Sequence, residues 1–157
     1  MHTAKEQEHA LAEQFRSSKP FVDWFLGQTK FAKIVDAKPV LIRSDSPWYQ
    51  ALDGRQSETD VLAVFESPST GNRFALHIEN KTAKDRFRAQ QPESYRKRAT
   101  DWLRKDKWGN YDDFECVLLA PQAFANKHTE DVKKFDRFLS HEALAEAIPE
   151  FAINRKA

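Results

Sequence analysis

The sequence predicts an α/β fold, a mixed central sheet of about four or five strands flanked by helices. Three observations carry this expectation. Two strand-length runs, TDVLAVFE and RFALHIENK, are separated by the turn cluster SPSTGN and read as a hairpin. A third run, DDFECVLLAP, is apolar along most of its length, as in a strand covered on both faces. Segments of helical period stand before, between and after these runs.

The elements follow in order. Ala4 to about Ser17 reads as a helix, with Glu8, Leu11 and Phe15 on one stripe at spacings of three and four. KPFVDWFLGQTKF reads as a second helix, with Pro20 in its first turn and Gly27 near its end. Within AKPVLIRSDSPWYQALDGRQ, PVLIR predicts a short strand, while SDSPW and LDGRQ predict turns. The hairpin closes through Ser67–Asn72. A basic helix follows, with Pro92 in its first turn, and leads into the apolar strand. HTEDVKKFDRFLSHEALAEAI predicts one or two closing helices. No repeat, low-complexity tract or linker divides the chain, so residues 1–157 read as one domain of order α-β-β-α-β-α with a further early strand.

Composition narrows the function classes. Hydrophobic residues are 40% of the 157 and aromatics 12%, enough for a real core and unlike a disordered chain. No run approaches the roughly 18 apolar residues of a membrane span, so no membrane partner is expected. The opening MHTAKEQEHALAEQF is charged and helix-like, unlike a secretory leader. The single cysteine, Cys116, has no internal disulfide partner, which predicts a reducing compartment, the cytoplasm. The histidines and the cysteine show no zinc-ligand spacing.

Net charge is only +1, but its distribution is uneven. From Lys81 to Lys107, ten Lys and Arg stand against four acids. Such a segment attracts a polyanion. A solvated helix face with local ion pairs is the plainer account of the charge alone.

Strand alternation then sorts the polar residues of RFALHIENK. Phe74, Leu76 and Ile78 share one face, while Ala75, His77, Glu79 and Lys81 share the other. Asp60 opens the partner strand, so the hairpin brings Asp60, Glu79 and Lys81 to one end. Two neighbouring carboxylates repel unless a cation lies between them. Hard oxygen ligands suit Mg2+ or Mn2+. A lysine beside them positions water or offsets developing charge, as phosphodiester hydrolysis requires. An exposed ion pair explains Glu79 and Lys81 equally well when they are taken alone. On the next helix Gln91 and Tyr95 lie four apart and continue into Ala99, Trp102 and Leu103, the stripe expected to pack on the sheet. Its N-terminus favours anions.

Asp60, the hairpin, IENK (Ile78 to Lys81), QPESY (Gln91 to Tyr95) and the strand ending LLAP together resemble the PD-(D/E)XK nuclease superfamily, in the branch with IENK and a Q-x-x-x-Y helix. The resemblance runs from about Ser57 to Pro121. It implies a restriction-endonuclease-like core and metal-dependent cleavage of nucleic acid, with DNA foremost. Asp60 and Glu79 match the metal-binding carboxylates, and Lys81 matches the catalytic lysine. The backbone carbonyl of Asn80 would also reach the Mg2+ or Mn2+. Gln91 and Tyr95 match the auxiliary motif. Glu8 is the candidate for the glutamate that many members add from the first helix. Thr59 departs from the pattern, standing where a proline precedes the aspartate. His77 is a candidate proton shuttle or phosphate contact, or a packed histidine. Arg86, Arg88, Arg96 and Arg98 are candidate phosphate contacts. Trp48 and Trp108 are candidates for base stacking or for ordinary packing. A homodimer or partner protein would have to supply sequence specificity. The competing expectation is a non-catalytic nucleic-acid- or protein-binding module on the same fold.

Overall fold

The computed structural model describes residues 2–46, 48–50 and 56–153, with 48–50, 56 and 57 described by backbone alone. Local signals start the first helices. At the head of α1 (Ala4–Ser17), the Glu6 N–H donates to Thr3 Oγ1 at 3.1 Å and Glu6 Oε1 accepts the Thr3 N–H at 3.4 Å. This capping box satisfies two donors that helix geometry leaves unpaired. Ser18 caps α2 (Lys19–Leu26) by accepting the Phe21 N–H at 3.2 Å, and Pro20 occupies the first turn.

The chain continues through β1 (Lys38–Arg43), β2 (Trp48–Gln50), β3 (Gln56–Glu58), β4 (Val61–Glu66), β5 (Arg73–Asn80) and α3 (Gln91–Asp101). It closes with β6 (Asp113–Ala120), α4 (Gln122–Lys127), α5 (Thr129–Val132), β7 (Arg137–Ser140) and α6 (His141–Leu144). Five strands form one sheet in the order β1-β4-β5-β6-β7. β1, β4 and β5 pair antiparallel, while β5, β6 and β7 pair parallel. The fold is therefore the mixed α/β sheet flanked by helices that the sequence predicts. Among the described residues no helix is long and apolar enough to cross a membrane.

Alternation divides the core into two layers. Val61, Ala63, Phe65, Phe74, Leu76 and Ile78 face α1 and α2, where Phe15 meets Phe25 edge-on at 5.0 Å. Leu62, Val64 and Ala75 face the other way, toward Trp102, Trp108 and Tyr111. Tyr95 and Ala99 of α3 extend that second layer over Cys116 and Leu118 of β6. The ring of Trp108 lies flat on Trp102, with centroids 3.7 Å apart. Trp108 is therefore a packing residue and not a base-stacking one.

Two expectations change. RFLS within the closing segment is strand β7, paired with β6 from Val117↔Arg137 to Ala120↔Ser140. Four residues are too few for alternation to show against helical surroundings, and the open edge of β6 decides their conformation. Second, β2 and β3 pair as a separate two-stranded ribbon that the sequence pattern does not predict, overlapping the expected turns only at Trp48 and Gln56. Of the expected turns, LDGRQ is residues 52–56, of which 52–55 lie outside the described residues, whereas SDSPW bends at Asp45, with Ser46 at φ +52°, and only its residue 47 lies outside them. The stacking expectation for Trp48 concerns a side chain outside them too.

Gly109 is the tightest backbone position under this layer. Its φ is +86°, and an added Cβ would meet Val64 Cγ1 at 3.0 Å. Gly109→Ala should therefore lower stability by about 1–3 kcal/mol, through backbone strain and overpacking together. Thermal or urea unfolding measures this.

Candidate active site

The hairpin register builds the centre. Val61 pairs with Ile78 as the first rung of β4, so Asp60, one residue before it, reaches the same end of the hairpin as Glu79, one residue beyond Ile78. Asp60 Oδ2 accepts the Asn80 N–H at 2.8 Å. Asp60 lies close enough to act on Glu79 through its charge and through a carboxyl–carboxyl hydrogen bond. Glu79 is only 4% exposed. Burial first, then the Asp60 charge, holds its carboxyl well above the usual carboxylate range.

Glu8 joins from α1, where the helical stripe turns it inward while Glu13 points outward. Its Oε1 accepts from Lys5 Nζ at 3.3 Å and its Oε2 from Asn80 Nδ2 at 3.3 Å. Burial, followed by the charge of Asp60, pushes this carboxyl up to about 8. The charge of Asp60, just before β4, thus raises the proton affinity of Glu8 on α1 and of Glu79 on β5.

Gln91 joins the acids to the lysine. Its Nε2 donates to Glu79 Oε2 at 2.8 Å, while its Oε1 accepts from Lys81 Nζ at 3.0 Å and from the Arg88 N–H at 3.0 Å. Lys81 also donates to the Arg86 carbonyl at 2.8 Å, and its backbone N–H extends the ladder to Leu119 O at 2.8 Å. Tyr95 works on the backbone. Its hydroxyl donates to Ile78 O at 3.2 Å and accepts the Asp60 N–H at 3.1 Å. Burial, reinforced by Asp60 and Glu79, keeps that phenol well above its ordinary value, so it stays protonated. One helix face therefore touches Asp60, Glu79 and Lys81 at the end of the hairpin.

The arginines separate. Arg86 and Arg88 are exposed on the loop between β5 and α3, beside Lys81. Arg96 is exposed but forms a tight ion pair with Asp136. Arg98 is 0% exposed, so the expected phosphate contact is corrected. Its Nε donates to Thr59 Oγ1 at 2.7 Å and its Nη2 to Glu58 O at 2.8 Å. The signal was present in the spacing, since Gln91, Tyr95, Arg98 and Trp102 follow one stripe at four, three and four. His77 is also corrected as a proton shuttle. It is fully buried between Thr59 Oγ1 and the Tyr111 hydroxyl, each 3.0 Å away. Burial, then the Arg98 charge, holds its imidazole well below the ordinary value.

Two further residues had no sequence signal. The Asn80 side chain faces α1 and α6, donating to Gln7 Oε1 at 3.0 Å and accepting from His141 Nε2 at 2.8 Å. Burial lowers the His141 imidazole to about 4, so it is a neutral donor. Among the described residues no buried side-chain nitrogen or oxygen lacks a hydrogen-bond partner.

The donor chemistry fits a hard divalent cation. Among the described residues no three His, Cys, Asp or Glu side chains already form a metal cage. Mg2+ needs no such cage, because it keeps several waters and binds through one or two carboxylates. Asp60 and Glu79 are the two carboxylates that would hold such an ion, with Glu8 beside Asp60. No family model, no curated protein and no solved structure matches the chain.

The Glu8 carboxyl carries a stability signature. Its folded value of about 8 exceeds the ordinary 4.5, so between these limits the folded state binds the extra proton. In chelator, the Glu8 contribution to stability should be fully present below pH 4.5 and should be lost, by a few kcal/mol, as pH rises from there through 8. Glu8→Gln should flatten that slope, which unfolding curves across the pH range will report.

Proposed function

We propose that the chain is a metal-dependent nuclease of the PD-(D/E)XK kind, hydrolysing nucleic-acid phosphodiester bonds, with DNA as the first substrate. The observation that carries this reading is the Gln91 carboxamide bridge between Glu79 and Lys81, beside an Asp60 that shares the end of the hairpin. A structural ion pair would not need a second carboxyl pressed against the first.

Mg2+ or Mn2+, when bound, supplies a Lewis acid for a phosphoryl oxygen and an acidified water. The chain's own residues do the rest. Asp60 and Glu79 concentrate negative charge where a cation would be held. Lys81, 7% exposed, keeps its ammonium beside them, oriented by Gln91 Oε1 and the Arg86 carbonyl. From there it offsets charge that develops on the phosphate. Tyr95 fixes the spacing of the two strand ends. Arg86 and Arg88 offer exposed cations at the mouth, suited to the phosphate backbone and not to base edges. A cytoplasmic location accords with a buried, unpaired Cys116.

A second reading has one observation in its favour. Lys81 already spends two of its three donors inside the protein, as a structural lysine does. On that reading the chain binds nucleic acid or protein without cleavage. Cleavage of plasmid and single-stranded DNA in Mg2+ or Mn2+, with and without chelator, separates the two; intact substrate under every condition excludes the nuclease.

Variants divide the roles. Glu79→Gln should lose Mn2+ affinity and cleavage together. Lys81→Ala should keep or tighten Mn2+ binding, because it removes a neighbouring positive charge. Its cleavage should drop about 10²–10³-fold. Calorimetric titration beside a cleavage assay reads both, and full cleavage by Lys81→Ala would make Lys81 a structural residue.

The loop cations have their own test. Charge reversal at Arg86 and Arg88 should weaken DNA binding alike for unrelated sequences. It should also flatten the fall of affinity with salt, by about one counterion for each phosphate that is no longer neutralised. Fluorescence anisotropy at several salt concentrations measures this, and an unchanged slope would assign both to the solvated surface.

A further inference from the structure

Asp60 stands just outside the ladder, since the first β4 rung is Val61↔Ile78. Its backbone is held instead by side chains of α3. Tyr95 Oη accepts the Asp60 N–H, Arg98 Nη2 donates to Glu58 O, and Arg98 Nε donates to Thr59 Oγ1 between them. The hydrogen-bond directions beyond Thr59 follow from donor counting. Tyr111 Oη donates to Ala99 O, so it accepts from His77 Nε2–H at 3.0 Å. His77 Nδ1 then carries a lone pair and accepts the Thr59 hydroxyl proton at 3.0 Å. The Thr59 hydroxyl is left with its oxygen toward Arg98. Each member is determined by the next, and Thr59, His77, Arg98 and Tyr111 are all buried.

We propose that Thr59 is a positioning residue for Asp60, held in a one-way hydrogen-bond chain that runs, donor to acceptor, from the Arg98 guanidinium through Thr59 and His77 to the Tyr111 hydroxyl. Tyr111 touches none of the residues assigned to the site, yet it sets the tautomer of His77 and so the orientation of the residue before Asp60. This rests on the nuclease reading, because its consequence is the placement of a metal-binding carboxylate.

Three variants test it in the full chain. Tyr111→Phe removes one oxygen from a packed ring. Thr59→Val removes the central hydroxyl at nearly constant shape, and Thr59→Ser retains it. In the parent, nitrogen-15 imidazole spectra should show His77 as the Nε2–H tautomer. Tyr111→Phe should erode that signature, weaken Mn2+ binding about 10-fold in calorimetry, and lower kcat with KM unchanged. Thr59→Val should weaken Mn2+ binding at least as much, and Thr59→Ser should restore it. A folded Tyr111→Phe or Thr59→Val protein with parental Mn2+ affinity overturns the proposal. So does a parent whose His77 is the Nδ1–H tautomer, a result that stands even if the variants do not fold. A parent that takes up no Mn2+ at all overturns the nuclease reading and this proposal together, whereas a parent that binds it beside unaffected variants overturns only the latter.

Discussion

The pairing of Val61 with Ile78 is the constraint on which the rest depends. Strand side chains repeat every two residues, so a slip of one would send Glu79 and Lys81 to the α1 side and Ile78 toward α3. Gln91 would then lose both Glu79 and Lys81. The register is protected by the two core layers, because every residue of β4 before Glu66 is buried on one side or the other. Hydrophobic packing along the hairpin thereby holds an electrostatic arrangement at its end that would not assemble unaided.

That arrangement opposes folding in the absence of a cation. Glu8 and Glu79 are both buried beside Asp60, and each favours a proton more than it would in water. Arg98 and His77 lie deeper still. The molecule tolerates these groups because their hydrogen bonds are made, many of them to backbone atoms at strand and helix ends. A buried polar group without a partner costs more than its bond contributes, so the network favours one arrangement strongly over near alternatives.

Much of this was legible in the sequence, and the remainder was hidden for identifiable reasons. The hairpin, the buried parallel strand and the first helix follow from periods of 2.0 and 3.6, which need several residues to show. β7 has four residues and shows no period of its own. Glu8 was readable because it shares a stripe with Leu11 and Phe15. Arg98 shares a stripe with Gln91 and Tyr95 in the same way, but its charge suggested the surface. The inward position holds because Thr59 and the Glu58 carbonyl receive the guanidinium, and that contact spans 39 residues of chain. The Asn80 side chain illustrates the wider limit. Its partners come from α1 and α6, and no local pattern announces a contact between elements so far apart in the chain.

Asn80 also has a consequence in time. It lies near the middle of the chain, and its amide is shared by Gln7 and Glu8 near the start and by His141 near the end. During synthesis the hairpin and α1 emerge first and can pack while the ribosome is still adding residues. The oxygen of Asn80 has to wait for His141. Until that residue is free of the exit tunnel, the carboxyl cluster lacks one of its supports.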